Sequence, residues 1–386
     1  MSLPDLTAAE REAVLSVLNT PNLSMGPQIT EFEREFARYT GAHDAIGVNS
    51  GTAGLHLCVR AADIRPGDLV LTTPFSFVSS TNVILFEKAI PVFVDVDSRT
   101  GNMDTAQAAR AVRDLAEGGN AAHRWLPRKG AESAGKLKAI LAIDVFGQPA
   151  DYDQIRPLAE HYNLKLIEDC CESLGAEYRS QRVGMQGDYG VFAFYPNKQI
   201  TTGEGGMIVT DDREAAQLMR ALRNQGRAPG DTWLQHTHLG YNYRLDEMSA
   251  ALGVTQLRRI EELLNKRQQV ADWYTARLSR IDGVQAPVVV PETTRASWFV
   301  YVIRLASRLD RDAIAARLDE RRIPVRPYFL PIHLQPYMVE MFGYQAGDFP
   351  VTEDLGRRGL ALPFSGMMTE EQVDLVCRTL ADCTQG

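Results

Sequence analysis

The chain reads as an α/β protein, with a large domain over residues 1–250 built on a mostly parallel central sheet and a smaller α+β domain over residues 251–386. Two observations lead there. Short, unbroken apolar runs alternate with amphipathic stretches between about residues 28 and 225, the pattern of strands buried on both faces and separated by helices. Beyond a long, charge-rich helical stretch the order of elements changes to a mixture of strands and helices, which suits a separate layer. A length of 386 residues accommodates both.

In order along the chain, Gln28–Tyr39 is predicted as a helix, followed by the short run Ala45–Val48 and a helical repeat over Thr52–Ala62. Extended runs follow at Leu69–Thr72, Val92–Val96, Ile140–Val145, Leu164–Glu168, Val191–Phe194 and Met207–Thr210. Leu245 to Leu278 is predicted as a long, charge-rich helical stretch connecting to the second domain. There, Trp298–Leu305, Val325–Phe329 and Leu360–Pro363 read as extended, and Asp310–Arg321 and Thr369–Leu380 as helices. The polar, basic stretch Arg113–Gly135 reads as a surface insertion between βα units.

Composition removes several classes. Lys+Arg 41 against Asp+Glu 49 gives a net charge of −8, which argues against a general nucleic-acid binder. No basic residues cluster on a hydrophobic helix, and no apolar run approaches the roughly 18–20 residues of a membrane span. Met1–Leu6 lacks the basic start and apolar centre of a signal peptide. Five cysteines without metal-ligand spacing fit reduced thiols in a cytoplasmic protein.

Four segments carry possible chemistry, each at the end of an apolar run where an open parallel sheet places its functional loops. Lys198 follows Phe192-Ala-Phe-Tyr-Pro-Asn and precedes a flexible Gly203-Glu-Gly-Gly turn. A lysine so placed can attack a carbonyl, although a lone loop lysine is ordinarily just solvated. Asp169, directly after Leu166-Ile-Glu, could hold a positive ring nitrogen or simply cap a helix. Ser50-Gly51-Thr52-Ala53-Gly54 leads from a strand into a helix, where backbone N–H groups and the Thr52 hydroxyl could seat a phosphate. Pro74-Phe-Ser-Phe77 puts an aromatic ring where it could stack on a flat ligand or fill core. His236 and His238 are spaced for a metal, but no further ligand cluster accompanies them.

The joint order of these segments resembles the fold type I pyridoxal-phosphate transferases, and within them the DegT/DnrJ/EryC1/StrS sugar aminotransferases. Further parts of the resemblance are Gly26-Pro27-Gln28, Gly147-Gln148-Pro149-Ala150-Asp151, Gly240-Tyr241-Asn242-Tyr243-Arg244-Leu245-Asp246-Glu247 and Tyr328…His333. The resemblance implies pyridoxal 5'-phosphate bonded covalently to Lys198, which would also shuttle the proton. It implies Asp169 at the pyridinium nitrogen, Phe77 stacked on the ring, and Gly51 and Thr52 at the phosphate. Glu172 stands where relatives often carry Gln or His near the ring hydroxyl. Asn242 would reach a phosphate in the neighbouring subunit, so a homodimer with shared active sites is implied. Arg244 and His333 are candidates for substrate contact.

The implied reaction moves an amino group from L-glutamate to a keto sugar of a nucleoside diphosphate, leaning to a 4-keto-6-deoxy sugar. Alternatives are a 3-keto sugar or keto-cyclitol acceptor, or a regulatory pyridoxal-phosphate binder without turnover. Three departures stand out: Ala193 where relatives often have Ser, Phe299 where they usually have His, and the length of Arg113–Gly135. Lys198 itself argues against the dehydrating branch of the family, which carries His at that position.

Overall fold

The computed structural model describes residues 3–385. A seven-stranded sheet runs in the order Asp44–Val48, Gly206–Thr210, Tyr189–Ala193, Lys165–Asp169, Leu137–Ile143, Leu69–Thr72, Ile90–Phe93. Gly206–Thr210 is antiparallel to both of its neighbours, and every other adjacent pair is parallel. The sheet is buried on both sides, and consecutive residues serve opposite faces. Val70 and Leu141 pack with Leu55 and Val59 of helix Gly51–Ala61. Leu71, Ile140 and Ala142 pack on the other side with Tyr152 and Ile155 of helix Tyr152–His161. Each such aliphatic side chain contributes about 1.5–3 kcal/mol by leaving water, which is why these runs tolerate no polar alternation.

The second region has its own antiparallel sheet, ordered Val284–Gln285, Tyr301–Leu305, Gly359–Leu362, Arg326–Pro327. Ile303, Leu305, Leu360 and Leu362 form one core with Tyr274 of helix Ile260–Leu278 and with Val373, Val376 and Leu380 of helix Glu370–Gln385. Trp298 and Tyr301, read as core of this region, lie in that cluster with stacked rings 5.5 Å apart. The N-terminal helix Ala8–Leu18 packs on helix Glu247–Arg258.

Three sequence expectations need correction. The stretch from Leu245 to Leu278 is two helices, Glu247–Arg258 and Ile260–Leu278, broken at Arg259 with φ −101° and ψ 8°. The Arg259 guanidinium reaches Asp5, Glu10 and Glu262, a tertiary ion-pair cluster that local periodicity does not reveal. The strand expected from Trp298 begins only at Tyr301. Arg113–Gly135 is not a free insertion. Its first residues end helix Thr105–Glu117, the short helix Gly119–His123 follows, and Trp125 Nε1 donates to buried Asp114 at 2.7 Å. Arg128 then holds Asp348 through both terminal nitrogens, at 2.5 and 2.7 Å.

Candidate active site

The parallel strands end at one edge of the large sheet, and the residues at or after the ends of several of them border an open cleft of about 1180 Å³. Asp169 is the last residue of its strand. Its buried carboxylate accepts the Ser80 hydroxyl at 2.7 Å and the Cys171 N–H at 3.1 Å. These bonds fix the Asp169 side chain against the cleft wall.

Opposite, Ser50 caps helix Gly51–Ala61 by accepting the Ala53 N–H at 3.1 Å. The N–H groups of Gly51 and Thr52, in the helix's first turn, have no intrahelical carbonyl to meet and border the cleft. Position 51 demands glycine: a Cβ there would stand 2.8 Å from both the Ala193 Cβ and the Cys171 Sγ. Thr52 and Ser79 line the same wall, with their hydroxyl oxygens 2.9 Å apart. The Ala193 methyl lies beside them, so the hydroxyl expected there is missing. Phe77, 62% exposed, presents its ring at the cleft with no side chain covering it.

Lys198 enters the cleft from the loop between Tyr189–Ala193 and Gly206–Thr210. Its Nζ lies 3.8 Å from Glu172 Oε1 and 3.7 Å from the centroid of the Phe299 ring. Glu172 is 8% exposed, and its other oxygen accepts the Phe146 N–H at 2.9 Å. Burial pushes the Glu172 carboxyl up to about 7, against the opposing pull of the Lys198 charge and the Phe146 N–H.

Lys198, Asp169, Glu172, Gly51, Thr52 and Phe77 thus border one cleft. Asn242, Arg244 and His333 do not. Asn242 is exposed on a segment beside Asn49, whose side-chain amide donates to the Asn242 carbonyl at 3.3 Å. Arg244 donates to Asn224 Oδ1 at 3.0 Å. His333 is fully buried: Nε2 lies 3.0 Å from Glu353 Oε1 and the ring packs edge-on against Phe349. A side chain with no accessible surface offers a substrate nothing to touch, so the substrate contact expected of His333 is withdrawn. His236 is exposed, with Nδ1 2.9 Å from the Gln225 carbonyl.

Sequence reasoning passed over Ser79, Ser80 and Tyr195, which line the cleft, and gave Tyr328 no role there. The two serines were findable as the polar start of a helix directly after Phe77-Val78. Tyr328 comes from the second region and carried no local signal. A separate pocket beyond Phe146 and Tyr328 has no lysine or carboxylate among its lining residues, so the chemistry belongs to the first cleft.

A carboxylate at one wall, free backbone N–H groups with two hydroxyls at another, an uncovered aromatic ring and an amine at the mouth fit a planar, phosphorylated, cationic-ring aldehyde such as pyridoxal phosphate. Among known proteins, residues 4–381 match the DegT/DnrJ/EryC1/StrS aminotransferase family. GDP-perosamine synthase of Caulobacter vibrioides is 36% identical, over 98% of this chain and 96% of its own. The UDP-N-acetyl-3-dehydro-alpha-D-glucosamine 3-aminotransferase of Acidithiobacillus ferrooxidans is 33% identical, over 96% and 92%. A DegT DnrJ EryC1 StrS aminotransferase from Brucella abortus superposes with TM-score 0.88 at 29% identity over the whole of both chains. S. venezuelae DesV, solved in complex with a ketimine intermediate, does so with TM-score 0.86 at 29% identity, over 98% and 95%.

Proposed function

Because the chain belongs to the DegT/DnrJ/EryC1/StrS aminotransferase family, we propose that this enzyme uses pyridoxal 5'-phosphate to move an amino group from L-glutamate to the keto carbon of a nucleoside-diphosphate 4-keto-6-deoxy sugar. One observation supports the reading: Lys198, Asp169, Gly51 and Thr52 border the same cleft.

When bound, pyridoxal phosphate supplies an electron sink for the charge left at a deprotonated carbon. The residues do the rest. Gly51 and Thr52 would hold the phosphate through their N–H groups and the Thr52 hydroxyl. Phe77 would lie against the ring face, and the Asp169 carboxylate would favour the protonated form of the ring nitrogen. Glu172 would face the ring hydroxyl. Lys198 would hold the aldehyde covalently, and its Nζ, when free, would serve as the base that accepts the proton of the donor α-carbon and as the acid that gives it up again. In the second half the same nitrogen works in reverse on the sugar.

Asn242 belongs, in this reading, to the neighbouring subunit's site, which its exposure and its absence from its own chain's cleft support. Arg244 sits on the same segment and is assigned there with it. A second acceptor, the 3-keto sugar, is favoured by the 33% identity to the 3-aminotransferase of Acidithiobacillus ferrooxidans.

The test has two stages. Protein mixed with pyridoxal phosphate and reduced with borohydride should carry the cofactor mass on the peptide containing Lys198, and glutamate should yield 2-oxoglutarate. A panel of 4-keto and 3-keto nucleotide sugars then identifies the aminated carbon by NMR. Protein that stays colourless and fixes no cofactor overturns the proposal, and an amine found only at C3 selects the second acceptor.

A further inference from the structure

Arg267 stands on the apolar stripe of helix Ile260–Leu278, between Leu264 and Val270, and is 6% exposed. No carboxylate lies within ion-pair distance of it among the described residues; burial alone sets its ionisation, drawing the guanidinium down to about 10. A buried cation without a counter-ion is costly unless fixed acceptors meet its donors.

Its task is visible in its partners. Nη2 donates to the carbonyls of Asn197 at 3.1 Å and Lys198 at 2.6 Å. Nη1 donates to the carbonyls of Trp298 at 3.1 Å and Phe299 at 3.3 Å. One planar fork therefore joins the turn that carries the reactive amine to the turn that carries the ring beneath it. Gln199 adds a second tie close by. Its Nε2 donates to the Glu172 carbonyl at 2.6 Å and to Ser297 Oγ at 2.8 Å, linking the Glu172 turn to the same segment.

From this geometry we infer that Arg267 is a positioning residue for the transamination: it holds the Asn197–Lys198 and Trp298–Phe299 turns as one body, and so fixes Lys198 Nζ between the Glu172 carboxylate and the Phe299 ring. The inference rests on the proposed role of Lys198, and it accounts for two features that otherwise stand alone. Trp298 and Phe299 do not extend the strand that begins at Tyr301, because their carbonyls serve the guanidinium. The ring at position 299, which cannot hydrogen-bond the amine as histidine would, faces it at cation–π distance instead.

The experiment compares the holoenzyme with Arg267→Ala and Arg267→Lys. Displacing a catalytic group by about 1 Å costs on the order of 100-fold in rate. Arg267→Ala should therefore lose about 100-fold in kcat while KM for glutamate moves less than about threefold. Millimolar guanidinium should restore part of the rate, and methylammonium should not. Arg267→Lys keeps the charge without the fork; it should also lose kcat, and it serves if the alanine variant does not fold. Amide hydrogen exchange, read on cofactor-free protein, should quicken selectively in peptides spanning residues 195–201 and 296–300. That last reading answers for Arg267 even if the protein never transfers an amine, a result that would overturn the proposed function alone. A kcat within twofold of wild type, or exchange unchanged in those peptides, overturns the inference. So does exchange that quickens uniformly along the chain, which would reduce Arg267 to a general stabiliser.

Discussion

Replacing Glu172 by glutamine probes how strongly the cleft resists a negative charge beside Lys198. The carboxyl is nine-tenths buried, and its two oxygens meet only the Phe146 N–H at 2.9 Å and the Lys198 amine at 3.8 Å. Burial lifts it from the ordinary 4.5 to about 7. A folded-state value above the unfolded one means that the folded chain holds this proton more tightly. Stability from this group is thus complete below pH 4.5 and is lost as pH rises towards 7. At about 1.4 kcal/mol per pH unit, that interval amounts to about 3 kcal/mol. Glutamine keeps the acceptor for Phe146 and cannot ionise. In urea unfolding of the cofactor-free protein, wild type should therefore lose about 3 kcal/mol more than Glu172→Gln between pH 4.5 and pH 8. Buried Glu168, raised to about 8, and Asp144, raised to about 6, also tilt the wild-type curve, so only the difference between the two proteins isolates position 172. Curves that run parallel within about 0.5 kcal/mol would refute the reasoning.

Three further outcomes are expected. Lys198→Ala should lower turnover by at least about 10⁴-fold, since nucleophile and proton carrier disappear together, and borohydride should then leave no cofactor on the chain; normal activity would end the assignment. Ala193→Ser should add a hydroxyl to the wall that carries Thr52 and Ser79. A charge-assisted bond of about 1.5–3 kcal/mol would tighten pyridoxal phosphate at least about tenfold in an absorbance titration, and unchanged affinity would place the phosphate elsewhere. Ser80→Ala removes the 2.7 Å donor to Asp169. It should weaken cofactor binding by about 1–3 kcal/mol in the same titration, and an unaltered value would show that Asp169 is oriented without it.

Much of this architecture was legible because it is written in local pattern. The strands of the large sheet announce themselves as apolar runs, and helix Pro27–Thr40 by its regular burial of Ile29, Phe32 and Phe36. Asp169, Gly51 and Lys198 were findable because each follows such a run. What escaped is held by contacts distant in sequence. Arg259 breaks a helix for the sake of Asp5 and Glu10. Asp114 is buried by Trp125 and Arg124 in a stretch that reads as polar surface. His333 resembles a site residue in one dimension and is closed over by Phe349 in three. Arg267 left a usable clue, a lone charge on an otherwise apolar helical face.

The reversed strand Gly206–Thr210 has a bearing on how this protein could be re-engineered. Because it returns alongside Tyr189–Ala193, the loop bearing Lys198 departs from and comes back to one sheet edge, pinned at its base by the Phe194 N–H to the Gly205 carbonyl at 3.0 Å. Its far end is a glycine packed so tightly that a methyl at position 206 would stand 2.7 Å from the Ser50 carbonyl oxygen. Splicing from a homologue should accordingly move residues 189–210 as a cassette, both flanks included. A junction inside that span would separate the amine from the Phe194–Gly205 anchor at the base of its loop.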